Sequence, residues 1–140
     1  MTTTVWIPKG RAAKNSVAHR SEVVCTLLVV DGLHGIRRFV CRAIELRGYA
    51  ACSAASVAEA RTILRSTAID LLLIDVDPTL VTGVELASSI LTEWPDLPII
   101  FMSGTPVPHE LGANGRPISF LQKPFTILEL WEQIGPLLEG

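Results

Sequence analysis

Five short apolar runs dominate this chain and leave few folds open to it. They are Cys25–Val30, Tyr49–Ala54, Ile69–Ile74, Leu97–Met102 and Ile118–Gln122. Runs of this length, rich in Leu, Ile and Val, suit strands buried on both faces and are too short for core helices. The stretches between them carry apolar residues every three or four positions. In Gly35–Arg47 a stripe of Ile36, Phe39, Val40, Ala43, Ile44 and Leu46 stands opposite Arg37, Arg38, Arg42 and Arg47, which predicts an amphipathic helix closed by Gly48. Ser56-Val-Ala-Glu59 is a capping box opening a second helix to about Arg65, and Gly83–Trp94 is a third that stops before Pro95. Thr126-Ile-Leu-Glu129 is another capping box; the helix it opens is expected to be disturbed near Gly135-Pro136.

Strands alternating with helices predict an α/β fold, a flavodoxin-like, doubly wound, five-stranded parallel sheet with flanking helices. Between the fourth and fifth strands, Gly104, Pro106, Pro108, Gly112, Gly115 and Pro117 leave room only for a short or irregular fourth helix. A length of 140 residues bounds one domain. With 49% hydrophobic and 19% charged residues the chain forms a core instead of remaining disordered. Its net charge of −2 argues against a dedicated nucleic-acid binder. No apolar run approaches the ~18–20 residues that cross a bilayer, so membrane insertion is not expected. The N-terminus has no apolar signal region. Cys25, Cys41 and Cys52 contain no close pair and read as small buried core residues of a reducing compartment, the cytoplasm. Residues 1–22 hold Lys9, Arg11, Lys14 and Arg20 against Glu22 alone, which suggests a flexible basic tail before a domain over 23–140.

In doubly wound sheets the functional crevice lies beyond the carboxyl ends of the strands. Four of the apolar runs lead directly into Asp31, Asp75, Ser103 and Lys123. Singly, such residues are usually helix caps or turn residues. Together on one rim, two carboxylates, a hydroxyl and an ammonium suit phosphoryl chemistry. A carboxylate can form an acyl phosphate, while Lys and Ser place positive charge and a donor on the phosphoryl oxygens. Carboxylates so close repel without a cation, so Mg²⁺ is implied between Asp31 and Asp75.

The segments LLVVD ending at Asp31, DLLLIDVD around Asp75, FMSG around Ser103 and FLQKPFT around Lys123 resemble the receiver domains of two-component response regulators. The last two look most like receivers of hybrid sensor kinases. The resemblance runs from Val23 to about Leu138. It implies that Asp75 accepts a phosphoryl group from a histidine kinase or phosphotransfer protein. Asp31, Asp75 and the backbone carbonyl of Asp77 would hold Mg²⁺. Ser103 would be the switch hydroxyl, Lys123 would pair with the phosphoryl oxygens ahead of a cis Pro124, and Phe120 would take the rotating aromatic position, by packing alone since it lacks a hydroxyl.

This chain also departs from the family pattern. The second acid after the first strand is replaced by Gly32, so weaker Mg²⁺ binding is expected, with His34 or Asp77 as candidates to compensate. Pro78 and Thr79 replace the usual proline spacing after Asp75. The end of the chain at Gly140 predicts a single-domain receiver acting through protein–protein contacts, not an enzyme. Trp94, Trp131 and Ile134 are candidates for an interface, a homodimer included, although core packing is the commoner fate of such residues. Two alternatives remain. One is a receiver-like binding module that no longer takes phosphate, suggested by Gly32. The other is a haloacid dehalogenase-type phosphatase, with Asp75 as nucleophile and Asp77 as acid–base, whose further acids would have to come from Glu129, Glu132 or Glu139.

Overall fold

Residues 24–76, 81–105 and 119–139 are described by the computed structural model; the expected tail over 1–22 lies outside them. So do Asp77, Pro78, Thr79 and most of the stretch expected to hold a short or irregular helix between the fourth and fifth strands. The elements in chain order are β1 (Thr26–Val30), α1 (His34–Leu46), β2 (Ala50–Ala54), α2 (Val57–Ser66), β3 (Leu71–Asp75), α3 (Val81–Glu93), β4 (Ile99–Ser103), β5 (Ser119–Gln122) and α4 (Ile127–Glu139). The strands form one sheet in the order β2-β1-β3-β4-β5, and every pairing is parallel. The expected doubly wound sheet is therefore present.

Alternation along the central strands separates two cores. Leu27 and Val29 of β1, Leu71 and Leu73 of β3 and Ile100 and Met102 of β4 face Val40 and Ile44 of α1 and Leu130, Trp131 and Ile134 of α4. Leu28, Val30, Leu72, Ile74 and Phe101 point the other way, towards Ala60 and Leu64 of α2 and Ile90 of α3. Burial on both faces explains why these strands read as unbroken apolar runs. Trp131 and Ile134 are core residues, and Trp94 is half-buried against the second cluster. Packing in the core takes Trp131 and Ile134 away from the surface, while Trp94 keeps part of its side chain exposed.

The helix ends follow local chemistry. Gly48 takes φ 90° after α1, and the Tyr49 N–H returns to the Ile44 carbonyl while the Gly48 N–H returns to Glu45. This is a Schellman stop, which a side chain with a Cβ would strain. Ser56 Oγ accepts from the Glu59 N–H, and Glu59 reaches back to the Ala55 N–H. At α4 the box is reciprocal between Thr126 and Glu129.

Three expectations are corrected. Helix α4 runs through Pro136 to Glu139. Pro136 is exposed and near the end, while Leu137 and Leu138 pack on the first core, so packing outweighs one lost backbone bond. Cys25 is fully buried, but Cys41 and Cys52 are only partly so. The strands are also shifted: Asp75 and Ser103 pair within β3 and β4, whereas Cys25, Ile69 and Leu97 precede the ladders. No helix among the described residues is long and apolar enough to cross a membrane.

Leu73 is fully buried at the centre of the sheet. Leu73→Ala is expected to lower the unfolding free energy by about 2–5 kcal/mol, since the rigid sheet cannot collapse into the space left. Urea denaturation checks this, and a loss under about 1 kcal/mol would contradict the packing described.

Candidate functional site

The strand order places the ends of β1 and β3 side by side, with Val30 opposite Ile74. Asp31 and Asp75 consequently emerge on one rim of the sheet. Lys123 follows β5, two strands from β3, and its long side chain spans the gap. Its Nζ donates to Asp31 Oδ2 at 2.7 Å and to Asp75 Oδ1 at 2.8 Å. The Lys123 N–H donates to the Ser103 carbonyl at 2.7 Å, which fixes where this reach begins. The Lys123–Pro124 peptide is cis.

The two carboxylates differ in environment. Asp31 has no exposed side-chain surface. Its Oδ1 accepts from the Leu33 N–H at 2.9 Å, so both oxygens are satisfied. A buried carboxylate without such partners costs several kcal/mol. Asp75 is 38% exposed at its side chain and is open to an incoming group. Burial of the Lys123 ammonium acts to lower its pKa, but the hydrogen bonds to Asp31 and Asp75, and then their charges, outweigh that and hold it above its ordinary value.

Ser103 is buried at the end of β4, next to the Lys123 backbone. Its hydrogen bonds run to Thr105: Oγ donates to the Thr105 carbonyl at 3.0 Å, lies 3.2 Å from Thr105 Oγ1 and accepts from the Thr105 N–H at 3.1 Å. Phe120 is half-buried on β5, its ring 5.6 Å from that of Phe101. Asp77 lies outside the described residues. His34 faces Arg37 instead of the carboxylates, with Nδ1 3.4 Å from Arg37 Nη2. Glu129 is committed to capping α4.

Sequence reading missed two contacts. Arg37 was expected on the solvent face of its helix, but it is half-buried and its Nη1 donates to the Asp31 carbonyl at 2.6 Å. Thr105 holds the Ser103 hydroxyl. Both contacts use main-chain groups, which residue type does not encode.

Two carboxylate oxygens already share one ammonium, and hard oxygen donors suit Mg²⁺. The set is thin, because no group of three or more His, Cys, Asp or Glu gathers among the described residues. A Cβ added at Gly32 would meet nothing within 4 Å, so there is room for the acid that the family pattern has there.

The response regulator receiver domain family matches residues 27–135. The chain belongs to that family. As a receiver it is 30% identical over 119 residues to the sensor kinase CckA of Brucella abortus (strain 2308), which bears out the resemblance to sensor-kinase receivers. The match takes in 81% of this chain but only 12% of that protein's length. Among solved structures, the chemotaxis response regulator CheY4 of Vibrio cholerae is 25% identical, with a TM-score of 0.71 over 83% of this receiver and 100% of that chain. A response regulator from Thermotoga maritima is 25% identical, with a TM-score of 0.72 over 84% and 100%. TrrA from the same organism, solved in complex with Mg²⁺–BeF, shares the fold at 24% identity and a TM-score of 0.67, over 82% of this receiver and 100% of that chain. The chain is thus a CheY-like receiver domain of two-component signalling, a family of signalling modules.

Two outcomes are expected here. Lys123→Met leaves buried Asp31 short of a partner and should lower stability by roughly 1–3 kcal/mol. Because the folded-state pKa of Lys123 is raised, this difference is complete at neutral pH, and it shrinks only as pH climbs above the ordinary lysine value of about 10.4 and through the raised one. Paired urea titrations from neutral to alkaline pH check both sign and window. Separately, Gly32→Asp should tighten Mg²⁺ binding by roughly tenfold, about 1.4 kcal/mol, in calorimetric titration.

Proposed function

We propose that this receiver accepts a phosphoryl group on Asp75 from the phosphohistidine of a histidine kinase or phosphotransfer protein and signals through protein–protein contacts. The observation that supports the reading is the Lys123 ammonium held against both Asp31 and Asp75. An exposed carboxylate beside a fixed cation is a nucleophile with part of the counter-charge for its product already in place.

In the proposed step an Asp75 oxygen attacks phosphorus, the P–N bond to the donor imidazole breaks, and its electron pair leaves with the imidazole, which takes up a proton. Lys123 transfers its Asp75 hydrogen bond to a phosphoryl oxygen. Ser103 exchanges Thr105 for a second phosphoryl oxygen. Mg²⁺, held by Asp31 and Asp75 with the Asp77 carbonyl as a further ligand, would supply charge neutralisation on the transferred group. Phe120 would follow the β4 loop by repacking against Phe101. Only interactions that form in the phosphorylated state alone shift the population of the signalling form. The cytoplasm, where such kinases deliver phosphoryl groups, is the compartment proposed, and residues 1–22 are proposed as a separate basic tail on the receiver.

Gly32 favours a second reading, a receiver-fold binding module that takes no phosphate. Incubation with acetyl phosphate and Mg²⁺ separates the two. Intact-protein mass spectrometry should show one added phosphoryl group, absent from Asp75→Asn. A chain that gains none, and whose spectra do not respond to beryllium fluoride, is the binding module.

A further inference from the structure

The amino-terminal end of the sheet, opposite the Asp31–Asp75 rim, carries a groove of about 400 Å³. One wall is the turn joining α3 to β4, which the Leu97 N–H closes onto the Trp94 carbonyl at 3.2 Å with Pro95 and Asp96 at its tip. Trp94, Pro95 and Pro98 give the groove apolar surface, while Asp70, Glu93 and Asp96 give it charge; its described lining holds no base. Glu93 is engaged by Arg61 at 2.5 Å and Arg65 at 2.9 Å. Asp96 is exposed at the tip of the turn, and Asp70 is half-buried.

The chain enters the described residues beside this groove. The Thr26 N–H donates to Asp70 Oδ2 at 2.8 Å, and the Asp70 N–H donates back to the Thr26 carbonyl at 2.8 Å. Residues 1–23 lead into that contact and carry Lys9, Arg11, Lys14 and Arg20 against Glu22 alone. Neighbouring strands stand about 4.8 Å apart, and β1, β3 and β4 are neighbours in that order, so the groove lies within one or two strand spacings of Thr26. Lys14 precedes Thr26 by twelve residues, a reach of up to about 40 Å when extended.

We propose that this acidic groove is the dock for the chain's own basic segment, residues 9–20, which folds back from Thr26 across the ends of β3 and β4. The proposal names where the basic tail rests, and it does not depend on whether Asp75 takes a phosphoryl group. The tail's cations meet the carboxylates of Asp70 and Asp96. Trp94, whose ring centre already has the Arg65 guanidinium 6.0 Å away, offers a face for a further cation or its apolar stem. Exposed ion pairs are individually weak, but a short tether holds the segment at an effective concentration of about millimolar, which is enough for a weak dock to fill. Once seated, the segment bridges β1 to the turn between α3 and β4 and covers the groove against other basic partners.

Carbodiimide coupling of the full chain at low salt, read by peptide mass spectrometry, tests this. Lys9 or Lys14 should couple to Asp70 or Asp96 in preference to Glu45, an exposed acid in the last turn of α1 near the same end of the sheet. In a mixture of chains with and without heavy nitrogen, the coupled pairs should carry one label only, as a contact within one chain requires. Raising KCl to about 1 M, where the Debye length is about 3 Å, should cut coupling at the groove at least about threefold. Asp96→Arg reverses a charge without adding an amine and should cut coupling to Asp70 by a similar factor. Coupling to Glu45 as strong as to the groove acids marks an undocked tail and overturns the proposal. Mixed-label pairs alone overturn it in favour of a contact between copies. Coupling to Asp70 that is indifferent to both salt and Asp96→Arg overturns it as well; should the variant fold poorly, the salt series on the wild-type chain decides.

Discussion

A single ammonium shared by two carboxylates organises the working edge of this molecule. Asp31 and Asp75 are brought together by the adjacency of β1 and β3, whose spacing of about 4.8 Å leaves two like charges close. Lys123 relieves that repulsion from β5, with β4 between it and β3. A shorter cationic side chain would not cross two strand spacings, and a cation on a flexible loop would lose more entropy in being held. The bond from the Lys123 N–H to the Ser103 carbonyl fixes the starting point of the reach. The same bond sets Ser103 beside Lys123 in the sheet, where its hydroxyl is held by Thr105.

That edge is only as rigid as the sheet behind it. Each central strand is clamped between two apolar clusters, one under α1 and α4 and the other under α2 and α3. With side chains fixed on both faces, a strand cannot slip by one residue without turning its whole apolar set inside out. The rim residues inherit this precision, since each directly follows or closes a locked strand. Asp31 is the extreme case: its side chain is fully buried, and its two oxygens are met by a backbone N–H and an ammonium.

Most of this was legible in the sequence because burial on both faces writes itself as uninterrupted Leu, Ile and Val. The doubly wound class and the rim residues follow from that signal, whereas the order β2-β1-β3-β4-β5 comes from the structure. Boundaries were less legible, for a physical reason. Apolarity reports burial and not pairing, so Leu97 is buried before the β4 ladder begins, and polar Asp75 and Ser103 pair within ladders that apolarity would have ended. Pro136 misled in the same way. A proline forbids one backbone bond, but Leu137 and Leu138 beyond it find the core, and tertiary contact carries the helix on. Arg37 and Thr105 escaped notice because their partners are a main-chain carbonyl and the hydroxyl and amide groups of a tight loop. Such acceptors exist at every residue and leave no mark on composition.

The resting bonds also set what a switch at this edge must overcome. Ser103 is not idle: it exchanges hydrogen bonds with the carbonyl and N–H of Thr105. Turning it towards a phosphoryl group on Asp75 sacrifices those contacts, each worth about 0.5–1.5 kcal/mol net. Under the proposed reading Lys123 would lose less, since it would exchange one acidic oxygen for another, starting from its bond to Asp75 at 2.8 Å. The two residues would therefore contribute differently. Lys123 would mainly stabilise the bound phosphoryl group, while Ser103, which must abandon one set of partners for another, would couple the chemistry to the shape of the loop after β4. A ligand can shift an equilibrium only where it makes contacts in one arrangement that it lacks in the other, and the Ser103–Thr105 bonds are the contacts such a shift would have to give up.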